Sequence, residues 1–164
     1  MQDDPITCTR YDSPLGPMLV AATPRGLRGV WFEGQRHGPA ATGWPQDADH
    51  PVLREAVRQL ADWFAGRRTR FDLPLDLRAG TPFQQSVWNA LLAIPRGGTT
   101  SYAELARRLG RPQAARAIGA AVGRNPVSIV VPCHRVLGTG GALTGYAGGL
   151  ERKTALLRLE GALM

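Results

Sequence analysis

Cys133 and His134 stand side by side in Val131-Pro132-Cys133-His134-Arg135-Val136, in a chain of 164 residues that holds only 2 cysteines. A thiolate is the strongest nucleophile among the side chains, and a nearby base is what makes one available near neutral pH. A free cysteine more often fills a small core position, so the surroundings must decide its role. A Cys-His protease would need a second base, because adjacent side chains rarely aim at each other. The other histidines, His37 and His50, lie in a loop where exposure is the expectation. A zinc site needs clustered Cys, His or carboxylate ligands, and Cys8, Cys133 and three scattered histidines do not supply that spacing. No phosphate-loop or dinucleotide glycine signature occurs. The reading is therefore a free nucleophile, with no metal and no cofactor.

The charge is distributed unevenly. Residues 1–78 carry ten Arg against ten Asp and Glu, whereas residues 79–164 carry nine Arg and one Lys against Glu104, Glu151 and Glu160. The whole net charge of +7 thus belongs to the half that holds Cys133. A neutral half joined to a basic one points to a polyanionic partner. The composition, 43% hydrophobic, supports a packed core, and no apolar run reaches the roughly 20 residues that a membrane span requires. The acidic start lacks the apolar core of a signal peptide, so the expected compartment is the cytoplasm. Both cysteines should be free thiols there, with Cys8 a core residue.

These residues must be positioned by two units, 1–78 and 79–164. In the first, Ser13-Pro14-Leu15-Gly16 and Thr23-Pro24-Arg25-Gly26 are turn signals between apolar runs, which predicts antiparallel strands over residues 5–32. A Gly- and Pro-rich loop follows. Asp49 is the candidate cap of a helix that carries Leu53, Ala56, Val57, Leu60 and Phe64 at helical spacing and ends at Gly66. Phe71, Leu73, Leu75 and Leu77 alternate with polar residues or Pro74, which predicts an edge strand.

Beyond Arg78-Ala79-Gly80 the pattern turns helical. Thr81-Pro82-Phe83-Gln84 reads as an N-cap with a capping box, ahead of an apolar stripe stopped by Pro95. Ser101-Tyr102-Ala103-Glu104 reads as a second capping box, and Gly110 closes that helix. A third helix is expected from about Ala114 to Val122, and a last one from Leu150 to Leu159. The middle two fit a helix-turn-helix, though antiparallel helix pairs are common. If Ala115, Ile118 and Val122 face inward, the outer face is Ala114, Ala117, Gly119, Ala120 and Ala121, with Arg116 as its main long side chain. Such a bare face costs little to desolvate and suits a narrow groove, with one arginine free to enter a base stack.

Arg124-Asn125-Pro126, then Val131-Pro132-Cys133-His134-Arg135-Val136, then Gly145-Tyr146-Ala147-Gly148-Gly149 resemble the O6-alkylguanine-DNA alkyltransferase family, also called methylated-DNA–protein-cysteine methyltransferases. The likeness runs almost without gaps over residues 81–160 and is weaker before them. It implies an α/β fold: a small N-terminal α/β domain with an antiparallel, ribonuclease H-like sheet, then a mostly helical domain with a winged helix-turn-helix-like motif. It implies that Cys133 takes the alkyl group from guanine oxygen six in duplex DNA, with alkylated thymine a further substrate. In that reading His134 draws off the thiol proton through a water, and Glu160 orients His134. Tyr102 protonates the departing guanine and crowds the flipped nucleotide's phosphate. Asn125 holds the turn before the cysteine. Arg116 fills the gap in the stack, on a DNA-facing surface formed by Ala114, Ala115, Gly119, Ala120, Tyr102 and Arg124. Val122, Val136, Tyr146, Ala147 and Gly148 belong to the substrate pocket, where the backbone of Cys133, Val136 and Ala147 reads the guanine edge. The implied partner is double-stranded DNA carrying alkylated guanine, met by a monomer that could assemble cooperatively on it.

The residue types suit that chemistry. Displacing an alkyl group needs a thiolate, so the Cys133 pKa is expected below the usual 8.5 or so. The product is a thioether that nothing in the chain can hydrolyse, which implies one turnover per molecule. The target base must leave the stack, at a cost of a few kcal/mol. Ser128 stands where the family often carries an apolar residue, which leaves adduct size open. The first half lacks the zinc cluster of some members, and no fused regulatory domain is expected. The competing readings are a DNA-lesion-binding module with a structural Cys133, and a Cys-His hydrolase that turns over repeatedly.

Overall fold

The computed structural model describes residues 4–39 and 43–163. Strands β1 (Thr7–Ser13), β2 (Gly16–Thr23) and β3 (Gly26–Phe32) form an antiparallel sheet in that order. The two predicted turns make the hairpins, and Ser13 ties the first one through its hydroxyl, which donates to the Gly16 carbonyl at 2.6 Å. Helix α1 (Pro51–Phe64) packs across the sheet through Leu53, Ala56, Leu60 and Trp63, all fully buried. Its N-cap is His50, not Asp49, because Pro51 takes the first helical position.

Residues 71–77 do not form the expected edge strand. They make a single parallel bridge, Leu27 to Leu75, closed by hydrogen bonds from Leu27 N–H to the Pro74 carbonyl and from Asp76 N–H to the Leu27 carbonyl. The segment crosses β3 at one point instead of running along it. A Cβ on Gly26 would lie 2.6 Å from the Pro74 oxygen, so the crossing needs glycine there.

In the second unit, α2 (Pro82–Leu91) begins with the predicted capping box of Thr81 and Gln84. β4 (Thr100–Ser101) leads into α3 (Tyr102–Arg108), and α4 (Ala115–Gly123) follows after a turn. Ser101 caps α3 by accepting from Glu104 N–H, but Glu104 does not return the bond; its carboxylate pairs with Arg107 and Arg108. β5 (Val136–Leu137) pairs in parallel with β4, and α5 (Leu150–Leu159) closes the chain.

Helix α4 rests against both α2 and α3, so it buries a wider arc than its sequence suggests. Ala121 is buried with Ile118 and Val122, where the outer face was expected, and the Trp88 indole N–H donates to the Ala121 carbonyl at 2.8 Å. Ala117 and Ala120 remain exposed, while Ala114 and Ala115 are half-buried.

One hydrophobic core runs through both units. It is stitched by β3, whose Val30 N–H donates to the Pro126 carbonyl while its own carbonyl accepts from Ser128 N–H. The loop that leads to Cys133 is thereby anchored on the N-terminal sheet. Among the described residues, no helix is long and apolar enough to cross a membrane.

Candidate active site

The turn that presents the nucleophile starts at Asn125. Its side-chain oxygen accepts from Val127 N–H at 3.0 Å, and its amide donates to the Val131 carbonyl at 2.8 Å. Asn125 is itself buried and does not face the cavity. Within this loop Ile129 takes φ 73°, a left-handed conformation that costs a β-branched residue dearly. The fixed loop then delivers Cys133 at the start of a single 3-10 turn, Cys133–Arg135.

Cys133 is 6% exposed and lines a cavity of about 280 Å³. Tyr102, Gly119, Ala120 and Val122 form one wall, where a Cβ added at Gly119 would lie 3.6 Å from the Tyr102 ring. Gly145, Tyr146 and Ala147 form the facing wall, and Arg124 stands at the mouth. Gly148 lies behind Tyr146, where an added Cβ would come within 2.7 Å of the Tyr146 ring and 3.0 Å of Phe32. Ala114, Ala115 and Arg116 lie outside this cavity on α4, with Arg116 exposed. A larger groove of about 830 Å³, beside Phe71 and Leu92, contains no candidate nucleophile.

His134 is fully buried. Its Nε2 lies 2.8 Å from Glu160 Oε1, and its Nδ1 is buried with no partner. Glu160 accepts only, so Nε2 carries the hydrogen and Nδ1 keeps the lone pair. Burial lowers the His134 pKa more than Glu160 raises it, so the ring is neutral and basic at Nδ1. Arg135 closes the other side of Glu160, with Nε at 3.0 Å and a further bond from Nη2, and its Nη1 donates to the Ile94 carbonyl at 2.6 Å. Burial works to raise the Glu160 pKa, but the hydrogen bonds and charges of His134 and Arg135 hold it at about 2. Trp63 of the first unit packs edge-on against the His134 ring, 6.4 Å between centroids.

Two features differ from the expected site. The thiol is not activated at rest: burial pushes the Cys133 pKa up to about 11, and the opposing effects of Asn125 and Lys153 do not overcome it. Val136 does not line the cavity. Its N–H donates to the Cys133 carbonyl, and its carbonyl accepts from Lys153 at 2.7 Å with one lone pair left over.

Lys153 is a site residue that the sequence motifs do not mark. It is fully buried on α5, and its ammonium donates to the carbonyls of Val136, Thr144 and Gly145. Burial brings its pKa down to about 8, and Cys133 works in the opposite direction. The ammonium ties β5, behind the cysteine, to the chain that forms the facing wall. The signal was available, since Lys153 is the one lysine among 20 basic residues.

Family models match both units. The 6-O-methylguanine DNA methyltransferase DNA-binding domain matches residues 82–162, and the ribonuclease-like domain of the same family matches residues 6–77. The chain belongs to the 6-O-methylguanine DNA methyltransferase family. It is 49% identical over 156 residues to the methylated-DNA–protein-cysteine methyltransferase of Mycobacterium leprae, covering 94% of this chain and 92% of that one. Its identity to the enzyme of the same name from Methanosarcina acetivorans is 48% over 153 residues, covering 93% and 96%. The crystal structure of Mycobacterium tuberculosis OGT in complex with DNA superposes with a TM-score of 0.84 at 49% identity, covering 94% and 91%. Among the described residues no group of three or more His, Cys, Asp or Glu is placed to hold a metal ion.

Proposed function

We propose that this chain is a direct-reversal DNA repair protein that moves the alkyl group of O6-alkylguanine in duplex DNA onto Cys133. The observation that carries this is the order of the buried groups: a cysteine in a cavity, a neutral histidine with an unpartnered Nδ1, and a carboxylate fixed on Nε2.

The high thiol pKa makes proton removal part of the attack. A water between Cys133 and Nδ1 would satisfy the orphaned nitrogen and relay the proton. The sulfur forms a bond to the alkyl carbon as the bond from that carbon to guanine oxygen six breaks. Glu160 steadies the imidazolium so formed, and Arg135 keeps Glu160 ionised. Tyr102 supplies a proton to the departing guanine. Burial raises the Tyr102 pKa, so the phenol is protonated at neutral pH and can be refilled from the imidazolium. The thiol proton ends on guanine, and the thioether remains.

Base entry requires flipping. Arg116, exposed on α4, would fill the stack, and the exposed, small Ala117 and Ala120 would allow close approach to DNA. Alkylated guanine in double-stranded DNA is thus the proposed partner and a monomer the proposed unit. The decisive assay mixes excess duplex, carrying one O6-methylguanine per molecule, with a known amount of protein. Demethylation should stop at one equivalent. Continued turnover would support a hydrolase-like reading, and lesion binding with no demethylation would support a binding module.

A further inference from the structure

The cavity is not built by the helical unit alone. The loop after β3 brings Arg36 and His37 to its rim, near Arg124 at the end of α4. Three basic side chains line the mouth and no carboxylate lines any part of it. Glu33, on the same loop, does not reach the cavity.

This rim is fixed. Arg36 N–H donates to the Ala147 carbonyl at 2.9 Å, which ties the loop to the cavity wall. Gln35 braces it, accepting from Phe32 N–H at 2.8 Å and donating to the Arg36 carbonyl at 3.3 Å. His37 takes φ 56°, a conformation uncommon outside glycine. Strain of this kind persists where the surroundings enforce it, and such places cluster at functional sites.

A nucleotide that places its base against Cys133 must leave its sugar and phosphates at the mouth. We propose that Arg36, His37 and Arg124 form a preformed clamp for a phosphate of the flipped nucleotide, so that the N-terminal unit contributes directly to lesion recognition. The proposal rests on the base-pocket reading above. It adds a contact that only an extrahelical nucleotide can make, which separates it from general attraction to the duplex.

The clamp is linked to protons. Partial desolvation and the charges of Arg124 and Arg36 lower the His37 pKa below its usual 6.5, so the ring is neutral in the free protein at pH 7. A phosphate between the arginines would offset their repulsion and favour the imidazolium. Binding then takes up a proton and tightens as pH falls toward 6. The other titratable groups lining the cavity, Tyr102, Cys133 and Tyr146, have raised values and stay uncharged in this range.

The test measures equilibrium binding to Cys133→Ser protein of two duplexes that differ only in one O6-methylguanine. Arg36→Gln, His37→Gln and Arg124→Gln are each made in this background. Each arginine change should weaken lesion binding by about tenfold and lower the salt slope by about 0.9, as for one lost phosphate contact. The unmodified duplex should change less than about twofold. In His37→Gln the tightening between about pH 7.5 and 6 should disappear. Equal weakening on both duplexes, or an unaltered pH response in His37→Gln, overturns the clamp. Single-turnover transfer by protein with Cys133 intact is run in parallel. Its failure would count against the repair reading, while the binding comparison would still decide the clamp.

Discussion

Glu160→Gln separates the carboxylate's two tasks. In the native protein Glu160 accepts from His134 at Nε2 and from Arg135 at Nε and Nη2. Glutamine has one acceptor oxygen and one amide that only donates. The oxygen should turn to the buried cation, Arg135, because leaving it unpaired costs more. The amide then faces His134 and forces the hydrogen onto Nδ1, the position needed for the base. The expected loss in transfer rate is the whole general-base contribution, about 10²–10⁴-fold.

The stability effect follows from the Glu160 pKa. A carboxyl held at about 2 against 4.5 contributes about 3 kcal/mol at pH 7. Its folded pKa is depressed, so the contribution is complete above about pH 5 and fades as pH falls toward 2, with roughly 1.4 kcal/mol left at pH 3. Urea unfolding of both proteins at pH 7 and pH 3 reads this directly. The gap between them should narrow by about half at pH 3. An equal gap at both values, or a Glu160→Gln protein that transfers alkyl groups at the native rate, would refute the reasoning.

Three further outcomes are expected. Lys153→Met leaves the carbonyls of Val136, Thr144 and Gly145 without their donor, and chemical unfolding should show a loss of about 3 kcal/mol or more. Gly148→Ala places a Cβ 2.7 Å from the Tyr146 ring; it should cost about 1–3 kcal/mol in unfolding experiments and slow transfer by displacing Tyr146 into the cavity. Because the Cys133 thiol is raised to about 11 and His134 is lowered from 6.5, the single-turnover rate should show no inflection near 8.5 and should fall only below pH 6.5. A rise centred on 8.5 would show that the thiol titrates as an ordinary one.

Much of this architecture was legible because local signals matched the final contacts. Thr81 and Gln84 announced α2, and Leu150 to Leu159 marked α5. The turns at Ser13 and Thr23 set the hairpins. The alternation at 71–77 misled because half-burial alone produces that pattern, whether or not a neighbouring strand is in register. Strands β4 and β5, of two residues each, are too short to leave a pattern. A stripe for one partner helix puts Ala121 outward, but α4 has two partners.

At the site, the sequence put Cys133, His134 and Glu160 in one constellation, but it could not show burial. Burial makes the thiol weakly acidic and turns the single lysine into an internal strut, while the fold brings His37, exposed as expected, to the rim of the cavity. Arg36 meets Ala147 across more than a hundred residues of chain, a contact no local pattern encodes.

The most direct test is peptide mass mapping after reaction with an O6-methylguanine duplex. One added methylene should appear on the peptide that contains Cys133, in an amount equal to the guanine restored. A methyl group on Cys8, or an unmodified Cys133 after the guanine is repaired, would contradict the account.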